Sequence, residues 1–316
     1  MEIILGLDQL KRPLRNPVIT LGNFDGVHLG HQRIFNRVRE EASRIKGEAV
    51  VVTFDPHPLK VLAPERCPPL LTSFRKKMIL IEKSGIQTVL CIQFSVHFSE
   101  ISPLDFVRSI LVERIGARKV IVGYNYHFGK GQKGDVSILK EICDPFHVEV
   151  EVVEALRIGD TTVSSSKIRE LIKTGKVEEA SNLLGRDYPI LGRVVEGARR
   201  GQTLGFPTAN IELSDELYPL EGIYAVDVFW HGQCFKGVAN IGYNPTFPAG
   251  AGERGGIPAL EVHILDFSRS IYGDEVQINF KKRIRDEIPF DSASDLVAQI
   301  RKDIEWAKKN VFGETE

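Results

Sequence analysis

The pattern of secondary-structure signals changes near residue 186, and this change restricts the possible folds more than any other feature of the chain. Before it, short apolar segments typical of strands alternate with amphipathic segments typical of helices. After it, short strand-like segments are separated by turns that contain Gly and Pro. The sequence therefore predicts an α/β domain over residues 1–185 and an antiparallel β-barrel or sandwich domain over residues 186–316.

The individual segments support this division. In the first domain we predict strands at 18–24, 48–54, 87–94, 119–122 and 148–153, and helices at 31–46, 72–83, from Ser102, at 165–173 and at 177–184. In the second domain we predict strands at 190–195, 223–230, 233–239, 259–265 and 275–280, a hairpin turn at 230–233 and a final helix at 292–310. Strands that alternate with helices indicate a parallel sheet, which binds ligands at the carboxyl ends of its strands.

Composition excludes several classes of protein. The formal net charge of the 316 residues is -1, which argues against a broad basic surface for nucleic acid or an anionic membrane. No apolar stretch approaches the roughly 20 residues that span a bilayer, and the N-terminus does not resemble a signal peptide. Cys67, Cys91, Cys143 and Cys234 show no metal-binding spacing and are expected to be reduced. We therefore predict a cytoplasmic protein.

The first candidate site lies in a Gly-rich segment between a predicted strand and a predicted helix, Gly22 to His31. Glycines let a backbone approach a ligand closely, and the N-terminus of a helix favours phosphate. His28 and His31 are three residues apart, so in a first helical turn they would share a face and donate hydrogen bonds to a polyphosphate. The alternative is a glycine turn with two surface histidines.

The second candidate site combines two segments of the β domain. If residues 208–210 are extended, Thr208 and Asn210 point to one face, where their oxygens suit Mg²⁺. Glu261 interrupts an otherwise apolar strand and is either solvent-facing or a base placed for phosphoryl transfer. The chain has no Walker A sequence, so a phosphate site here needs another design. Arg199 and Arg200 are either part of a flap over a nucleotide or a solvated pair.

The first domain resembles a known family. The segment G-N-F-D-G-V-H-L-G-H at 22–31 contains the H-x-G-H signature of the nucleotidylyltransferase superfamily. It resembles the FMN adenylyltransferase half of the bacterial bifunctional riboflavin kinase/FAD synthetase family. Segments 53–58 (T-F-D-P-H-P), 123–129 (G-Y-N-Y-H-F-G) and 164–169 (S-S-S-K-I-R) also resemble that family. Asn125 and Tyr126 depart from the Asp and Phe that we expect in many relatives.

The second domain resembles the riboflavin kinase half of the same family. The similarity rests on G-F-P-T-A-N-I at 205–211, N-I-G-Y-N-P-T-F at 240–247 and L-E-V-H-I-L-D-F at 260–267. A Gly-rich loop at 249–258 is longer than usual for the family. The resemblance covers essentially the whole chain, and it implies a Rossmann-like domain followed by a six-stranded barrel with a C-terminal helix.

The resemblance also implies activities and residue roles. A kinase would convert riboflavin and ATP to FMN, and an adenylyltransferase would convert FMN and ATP to FAD and pyrophosphate, with Mg²⁺ as cofactor. Implied catalytic residues are Glu261, His28 and His31. Implied nucleotide or phosphate contacts are Gly22, Phe24, Gly26, Gly30, Asn125, Ser164, Ser165, Ser166, Arg169, Gly205, Thr208 and Asn210, of which Thr208 and Asn210 hold the metal. Implied flavin contacts are Phe54, His57, Pro58 and Phe128.

Other interpretations of the same sequence stay open at this point. One interpretation is that the first domain is degenerate and only the kinase is active, although His28 and His31 are intact. A flavin-binding regulator would use Phe54 and Phe128 without catalysis. A class I tRNA synthetase also has a His signature, but the chain is short for one and lacks a basic RNA-binding domain. We expect small-molecule substrates, no nucleic acid or membrane partner, and at most a weak homo-oligomer.

Overall fold

The computed structural model describes residues 1–197, 201, 204–213, 216–243 and 258–313. Contacts divide the chain into two compact units, with unit 1 from Met1 to Ser165 and unit 2 from Ser166 onward. The division comes before two helices that the sequence places in the first domain. The boundary at residue 186 stays a prediction. No helix in the described ranges is long and apolar enough to cross a membrane.

Unit 1 contains a six-stranded parallel sheet. Its strands are β1 (Glu2–Leu5), β2 (Val18–Leu21), β3 (Ala49–Asp55), β4 (Thr88–Gln93), β5 (Lys119–Gly123) and β6 (Glu149–Val153), in the order β1-β4-β3-β2-β5-β6. A small hairpin follows, formed by β7 (Arg157–Ile158) and β8 (Thr161–Thr162). The predicted α/β class is confirmed. β1 was not predicted, because its four residues are too short to show a period.

Helices connect the strands of unit 1. They are α1 (Leu29–Arg44), α2 (Pro58–Leu62), α3 (Phe74–Lys83), α4 (Val96–Ser99), α5 (Pro103–Asp105), which continues as a π-helical segment to Arg114, and α6 (Val136–Cys143). Side chains of Ser73, Ser102 and Asp135 accept hydrogen bonds from backbone N–H groups in the first turn and so begin α3, α5 and α6. The predicted start at Ser102 is confirmed.

The sheet of unit 1 is covered on both faces. Val50 and Val52 pack into one apolar cluster, and Val51 packs into the other, because strand side chains alternate. All three are 0% exposed, which confirms the prediction of a fully buried strand. The chain order reverses beside β2, whose neighbours are β3 and β5. Such a switch point opens a crevice at the carboxyl ends of the strands, and the Gly-rich segment follows β2 directly.

Unit 2 consists of two helices, a barrel and a C-terminal helix. The helices are α7 (Ser165–Lys173), whose first residue belongs to unit 1, and α8 (Val177–Leu184). The barrel strands are β9 (Tyr188–Val195), β10 (Ala209–Ile211), β11 (Gly222–Trp230), β12 (Gln233–Tyr243), β13 (Pro258–Ile264) and β14 (Glu275–Arg285), and the C-terminal helix is α9 (Ala293–Ala307). The barrel is closed in the order β10-β13-β12-β11-β14-β9, with antiparallel neighbours. The six-stranded barrel and the final helix are confirmed.

Because side chains alternate along each strand, apolar side chains fill the barrel interior and polar side chains lie on its outer face. Leu260, Val262 and Ile264 of β13 are at most 6% exposed and face inward. Glu261 lies between them and is half-buried on the outer face. The candidate kinase residues are therefore carried by the outer wall of the barrel.

Candidate active sites

The Gly-rich segment of unit 1 turns sharply before α1. Phe24, Gly26 and Val27 have φ values of 49°, 83° and 40°, so β2 ends at Leu21 and the predicted strand is three residues too long. Gly22 lies against the ring of Phe24, since a Cβ there would be 3.0 Å from the ring. A side chain at position 22 would push the ring out of the turn.

Asp25 fixes this turn to the rest of unit 1. Its buried carboxylate accepts hydrogen bonds from the backbone N–H groups of Leu71 and Thr72 and from the Thr72 hydroxyl, at 3.0–3.1 Å. The Ser165 hydroxyl donates to the Asp25 carbonyl at 2.9 Å. Sequence reasoning missed Asp25 and Thr72, because their contact joins segments 46 residues or more apart.

The two histidines lie together at the start of α1. His28 is the N-cap of this helix, whereas we expected it in the first turn beside His31. Its Nδ1 accepts a hydrogen bond from the His31 backbone N–H at 3.3 Å, and the two rings stack with centroids 3.5 Å apart. Because Nδ1 accepts, a neutral His28 carries its proton on Nε2, which is then a donor.

Close packing holds the His28 ring in place. His28 is 6% exposed, and a Cβ at Gly30 would lie 3.2 Å from its ring. Phe24 is 3% exposed and packs edge-on against His31, with centroids 5.2 Å apart. The structure therefore places Phe24 and Gly30 as supports of the histidine pair.

Lys77 of α3 joins the turn that follows β2 to the last residues of β3. Its ammonium donates to the carbonyls of Asn23 and Phe54, both at 3.3 Å, and to the Thr53 hydroxyl at 3.1 Å. Burial lowers the pKa of Lys77. The pattern of an amphipathic helix gave no signal for this residue, because a lysine at such a position is usually solvated.

The predicted flavin contacts divide into two groups. Phe54 at the end of β3 packs against Phe94 and Phe98, and Phe128 is 6% exposed between Phe106 and Tyr126. In the turn after β3, His57 caps α2 by accepting from the Leu59 N–H, and Pro58 is the first residue of that helix. Their contact with flavin stays a prediction.

The remaining predicted nucleotide contacts of the N-terminal half lie in two segments of the chain. Asn125 is exposed just after β5. Ser164 directly precedes α7, Ser165 begins it, and Ser166 and Arg169 lie in its first turns, where Arg169 is 9% exposed. Ser166 and Arg169 belong to unit 2 by contacts.

The second candidate site forms a row across three neighbouring strands of the barrel. Asn210 of β10 pairs with Glu261 of β13, and Glu261 pairs with Asn240 of β12. Directly paired residues of antiparallel strands point to the same face. The row therefore places Asn210, Glu261 and Asn240 side by side on the outer face, and Asn240 was not predicted as a site residue.

The segment before β10 brings Thr208 to this row. Its hydroxyl lies 3.4 Å from Glu261 Oε2, and the Pro207 carbonyl accepts a hydrogen bond from His263 Nδ1 at 2.8 Å. His263 shares the outer face of β13 with Glu261 and thereby positions the segment that carries Thr208.

Glycines allow the chain to wrap closely around Asn210. A Cβ at Gly197 would collide with the Asn210 side chain, and one at Gly201 would collide with the Phe206 carbonyl. Gly205 has a φ of 84°, and no atom lies within 4 Å of where its Cβ would be. The glycine is therefore needed for the backbone conformation of the turn and not for close packing. Arg199, Arg200, residues 244–247 of the N-I-G-Y-N-P-T-F segment and the loop at 249–257 lie outside the described residues.

The donor set of this site fits Mg²⁺. Thr208 supplies a hydroxyl and Asn210 an amide oxygen beside the Glu261 carboxylate, and hard cations take oxygen ligands of these types. A parallel sheet with paired histidines at its switch point, followed by a barrel with Thr, Asn and Glu on its outer wall, defines a two-domain nucleotide-dependent transferase.

Known proteins agree with this class. The FAD synthetase family profile matches residues 10–167, and the riboflavin kinase profile matches residues 184–311. The chain belongs to the family of bifunctional riboflavin kinases/FMN adenylyltransferases. The member from Haemophilus influenzae is 37% identical over 309 residues, which covers 98% of this chain and 98% of the relative. The members from Escherichia coli K12 and Listeria monocytogenes are 35% and 38% identical, over 100% and 91% of this chain and 99% and 90% of their own lengths.

A solved structure shares the fold along the whole chain. It is described as a macrolide-efflux protein from Streptococcus pneumoniae, with a TM-score of 0.87 and 32% identity over 98% of this chain and 99% of that one. The family match confirms our sequence-based assignment. It favours the bifunctional enzyme over the flavin-binding regulator and the tRNA synthetase.

Proposed function

We propose that the chain catalyses two consecutive reactions, the phosphorylation of riboflavin to FMN and the adenylylation of FMN to FAD. The observation that carries the proposal is the presence of two separate constellations, each within the matching family segment. One is the histidine pair after β2, and the other is the row on the outer face of the barrel. ATP is the co-substrate of both reactions.

In the kinase reaction, Glu261 acts as the general base. The ribityl 5′-hydroxyl oxygen attacks the γ-phosphorus of ATP, its proton passes to the Glu261 carboxylate, and the bond to the bridging oxygen of ADP breaks. Thr208 and Asn210 would hold Mg²⁺, which would neutralise charge on the phosphates when bound. The 3.4 Å contact between the Thr208 hydroxyl and Glu261 Oε2 supports this assignment, because a metal ligand and the base of one phosphoryl transfer are expected to lie close together.

In the adenylyl transfer, the FMN phosphate oxygen attacks the α-phosphorus of ATP, and pyrophosphate leaves. His28 and His31 donate hydrogen bonds to the phosphate oxygens as charge develops there, assisted by the N–H groups at the start of α1. Ser164, Ser165, Ser166 and Arg169 are assigned to the triphosphate, and Asn125 to the nucleotide. Phe54, His57, Pro58 and Phe128 are assigned to the flavin, and Gly22, Gly26 and Gly30 to close approach of the backbone. Gly205 is assigned to the nucleotide of the kinase site.

We place the enzyme in the cytoplasm. Its four cysteines are free thiols in the structure, as expected in a reducing compartment. The near-neutral formal charge of -1 supports small molecules rather than nucleic acid or anionic membranes as partners.

The two activities are tested by substitution of one residue in each site. Purified protein with riboflavin, ATP and Mg²⁺ is expected to yield FMN and then FAD. Chromatography measures both products over time. His28→Ala should slow FAD formation and spare FMN formation, because it removes a donor to the phosphates. Glu261→Ala should lower riboflavin phosphorylation by about 10²–10⁴-fold and spare FAD formation from supplied FMN. Phosphorylation within a few-fold of wild type would contradict the assignment of Glu261 as the base.

A further inference from the structure

Asn240 is a third polar side chain in the row that contains Glu261. It lies on β12 directly opposite Glu261, just as Asn210 lies opposite Glu261 on β10. Its neighbours in sequence, Ala239 and Ile241, are at most 1% exposed and point into the barrel. Strand alternation therefore fixes the Asn240 side chain on the outer face, on the far side of Glu261 from Asn210.

The amide oxygen of Asn240 has an unmet hydrogen-bonding requirement. Oδ1 is buried, and it has no hydrogen-bond partner within the described part of the chain. A buried acceptor without a donor is costly, and native structures rarely keep one without a reason. The missing donor is then a group that arrives with a ligand.

The position of Asn240 indicates which ligand this is. Thr208 and Asn210 occupy the flank of Glu261 assigned to Mg²⁺ and ATP, so the phosphoryl acceptor approaches from the other flank, where Asn240 lies. The reacting hydroxyl has one proton, and that proton goes to Glu261. The donor to Asn240 must therefore be a different hydroxyl of the same polyol chain.

The geometry points to Asn240 as a positioning residue for the kinase substrate, whose Oδ1 accepts a hydrogen bond from the ribityl hydroxyl next to the one that is phosphorylated. This inference rests on the proposed role of Glu261 as the base. Glu261 and Asn240 lie on neighbouring strands, which are about 4.8 Å apart. Two adjacent hydroxyls of a polyol can therefore contact one of these side chains each. One substrate chain can thus contact both side chains.

A metal ligand is the competing role for Asn240. β12 and β10 are separated by β13, so their backbones are about 10 Å apart. Mg²⁺ holds its ligands at about 2.0–2.1 Å. An ion bound to Thr208 and Asn210 is therefore poorly placed to reach Asn240.

A substrate–variant cycle tests the inference. Wild type and Asn240→Ala are compared on riboflavin and on an analogue that lacks only the neighbouring hydroxyl, 4′-deoxyriboflavin. Wild type should lose about tenfold in kcat/KM on the analogue, the scale of one hydrogen bond to a buried group. Asn240→Ala should lose about tenfold on riboflavin and show little further loss on the analogue. Independent losses that multiply would overturn the proposal, because a purely structural defect affects both substrates equally.

Controls separate this result from misfolding and metal binding. Asn279→Ala is a matched change on β14, where Asn279 accepts from Gln277, and it should leave discrimination between the substrates intact. FAD formation from supplied FMN reports on the rest of the protein. If Asn240→Ala does not fold, Asn240→Ser is used in the same cycle. A raised KM for Mg²⁺ in the variant would identify Asn240 as a metal ligand and overturn the proposal.

The role of Glu261 is tested separately. Glu261→Gln should abolish turnover while riboflavin still binds, as measured by quenching of flavin fluorescence. If Glu261→Gln keeps its turnover, the base assignment fails whatever the cycle shows. If Glu261→Gln loses turnover, and the losses from Asn240→Ala and from the analogue multiply independently, only the role of Asn240 is wrong.

Discussion

Glu41 of α1 is a buried carboxylate held by three cations. Its side chain is 6% exposed and lies 2.7 Å from Arg37, 2.9 Å from Arg44 and 3.0 Å from Lys119. The hydrogen bond from Arg44, followed by that from Lys119, lowers the pKa of Glu41 from 4.5 to about 2. A lowered carboxylate pKa stabilises the fold above pH 4.5, and this contribution is lost as the pH falls from about 4.5 through about 2.

We expect Glu41→Gln to lower the free energy of unfolding of unit 1 by about 2–3 kcal/mol at pH 7. The difference from wild type should shrink as the pH falls from about 4.5 towards 2, because the unfolded wild-type chain binds a proton at Glu41 first and the folded protein binds it only near pH 2. Urea denaturation at several pH values measures it. Glu40→Gln is the control, since the Glu40 side chain is 66% exposed. A difference that does not change with pH would contradict the electrostatic explanation.

Single residues show what a sequence can and cannot predict about the sites. His28, His31, Thr208 and Glu261 are predicted as site residues from motifs or from a polar residue in an apolar strand. Lys77 and Asn240 were missed, because their significance arises from contacts with other segments. Lys77 donates to groups 23 to 54 residues away, and Asn240 faces Glu261 across a strand pair. Local patterns carry no information about such partners.

At the scale of elements, the polar ends of strands were the hardest to predict. β12 and β14 extend to Tyr243 and Arg285, four and five residues beyond the predicted ends at 239 and 280. The added part of β14 is rich in Lys and Arg, which a periodicity argument assigns to solvent. In the structure Lys281 forms an ion pair with Asp187 and Arg285 forms one with Asp303, so these cations have partners in other elements. Tertiary pairing thus overrides local preference.

The short strand β10 depends on a glycine that leaves room for its side chain. Because a Cβ at Gly197 would collide with the Asn210 amide, Gly197→Ala should displace Asn210 from the row with Glu261. We expect kcat/KM for riboflavin phosphorylation to fall by about tenfold or more, since a misplaced site group costs up to about 10²-fold. FAD formation from FMN in the same protein is the internal control. Wild-type phosphorylation would show that the Asn210 position is not critical.

At the scale of the whole molecule, the sequence predicted both domains and their order, but the place where one ends is harder to define. The predicted boundary at 186 follows a change in sequence pattern, whereas contacts join α7 and α8 to the barrel. α8 packs on β9 and β14, Glu178 pairs with Lys282 at 3.2 Å, and Ile172 accepts a hydrogen bond from the Leu220 N–H. The contacts of Glu178 with Lys282 and of Ile172 with Leu220 link residues about 50 to 100 positions apart, which a local pattern does not reveal.

Two fragments decide between the boundaries. Both a fragment of residues 186–316 and one of residues 166–316 should phosphorylate riboflavin, because the row around Glu261 lies wholly within the barrel. The longer one should melt about 10 °C or more higher. It keeps the apolar face of α8, where Val177, Ala180 and Leu184 are at most 1% exposed, and each buried Val or Leu contributes about 1.5–3 kcal/mol. Thermal unfolding followed by circular dichroism measures the difference. Equal melting temperatures would show that the two helices are not part of the barrel's folding unit and would support the boundary at 186.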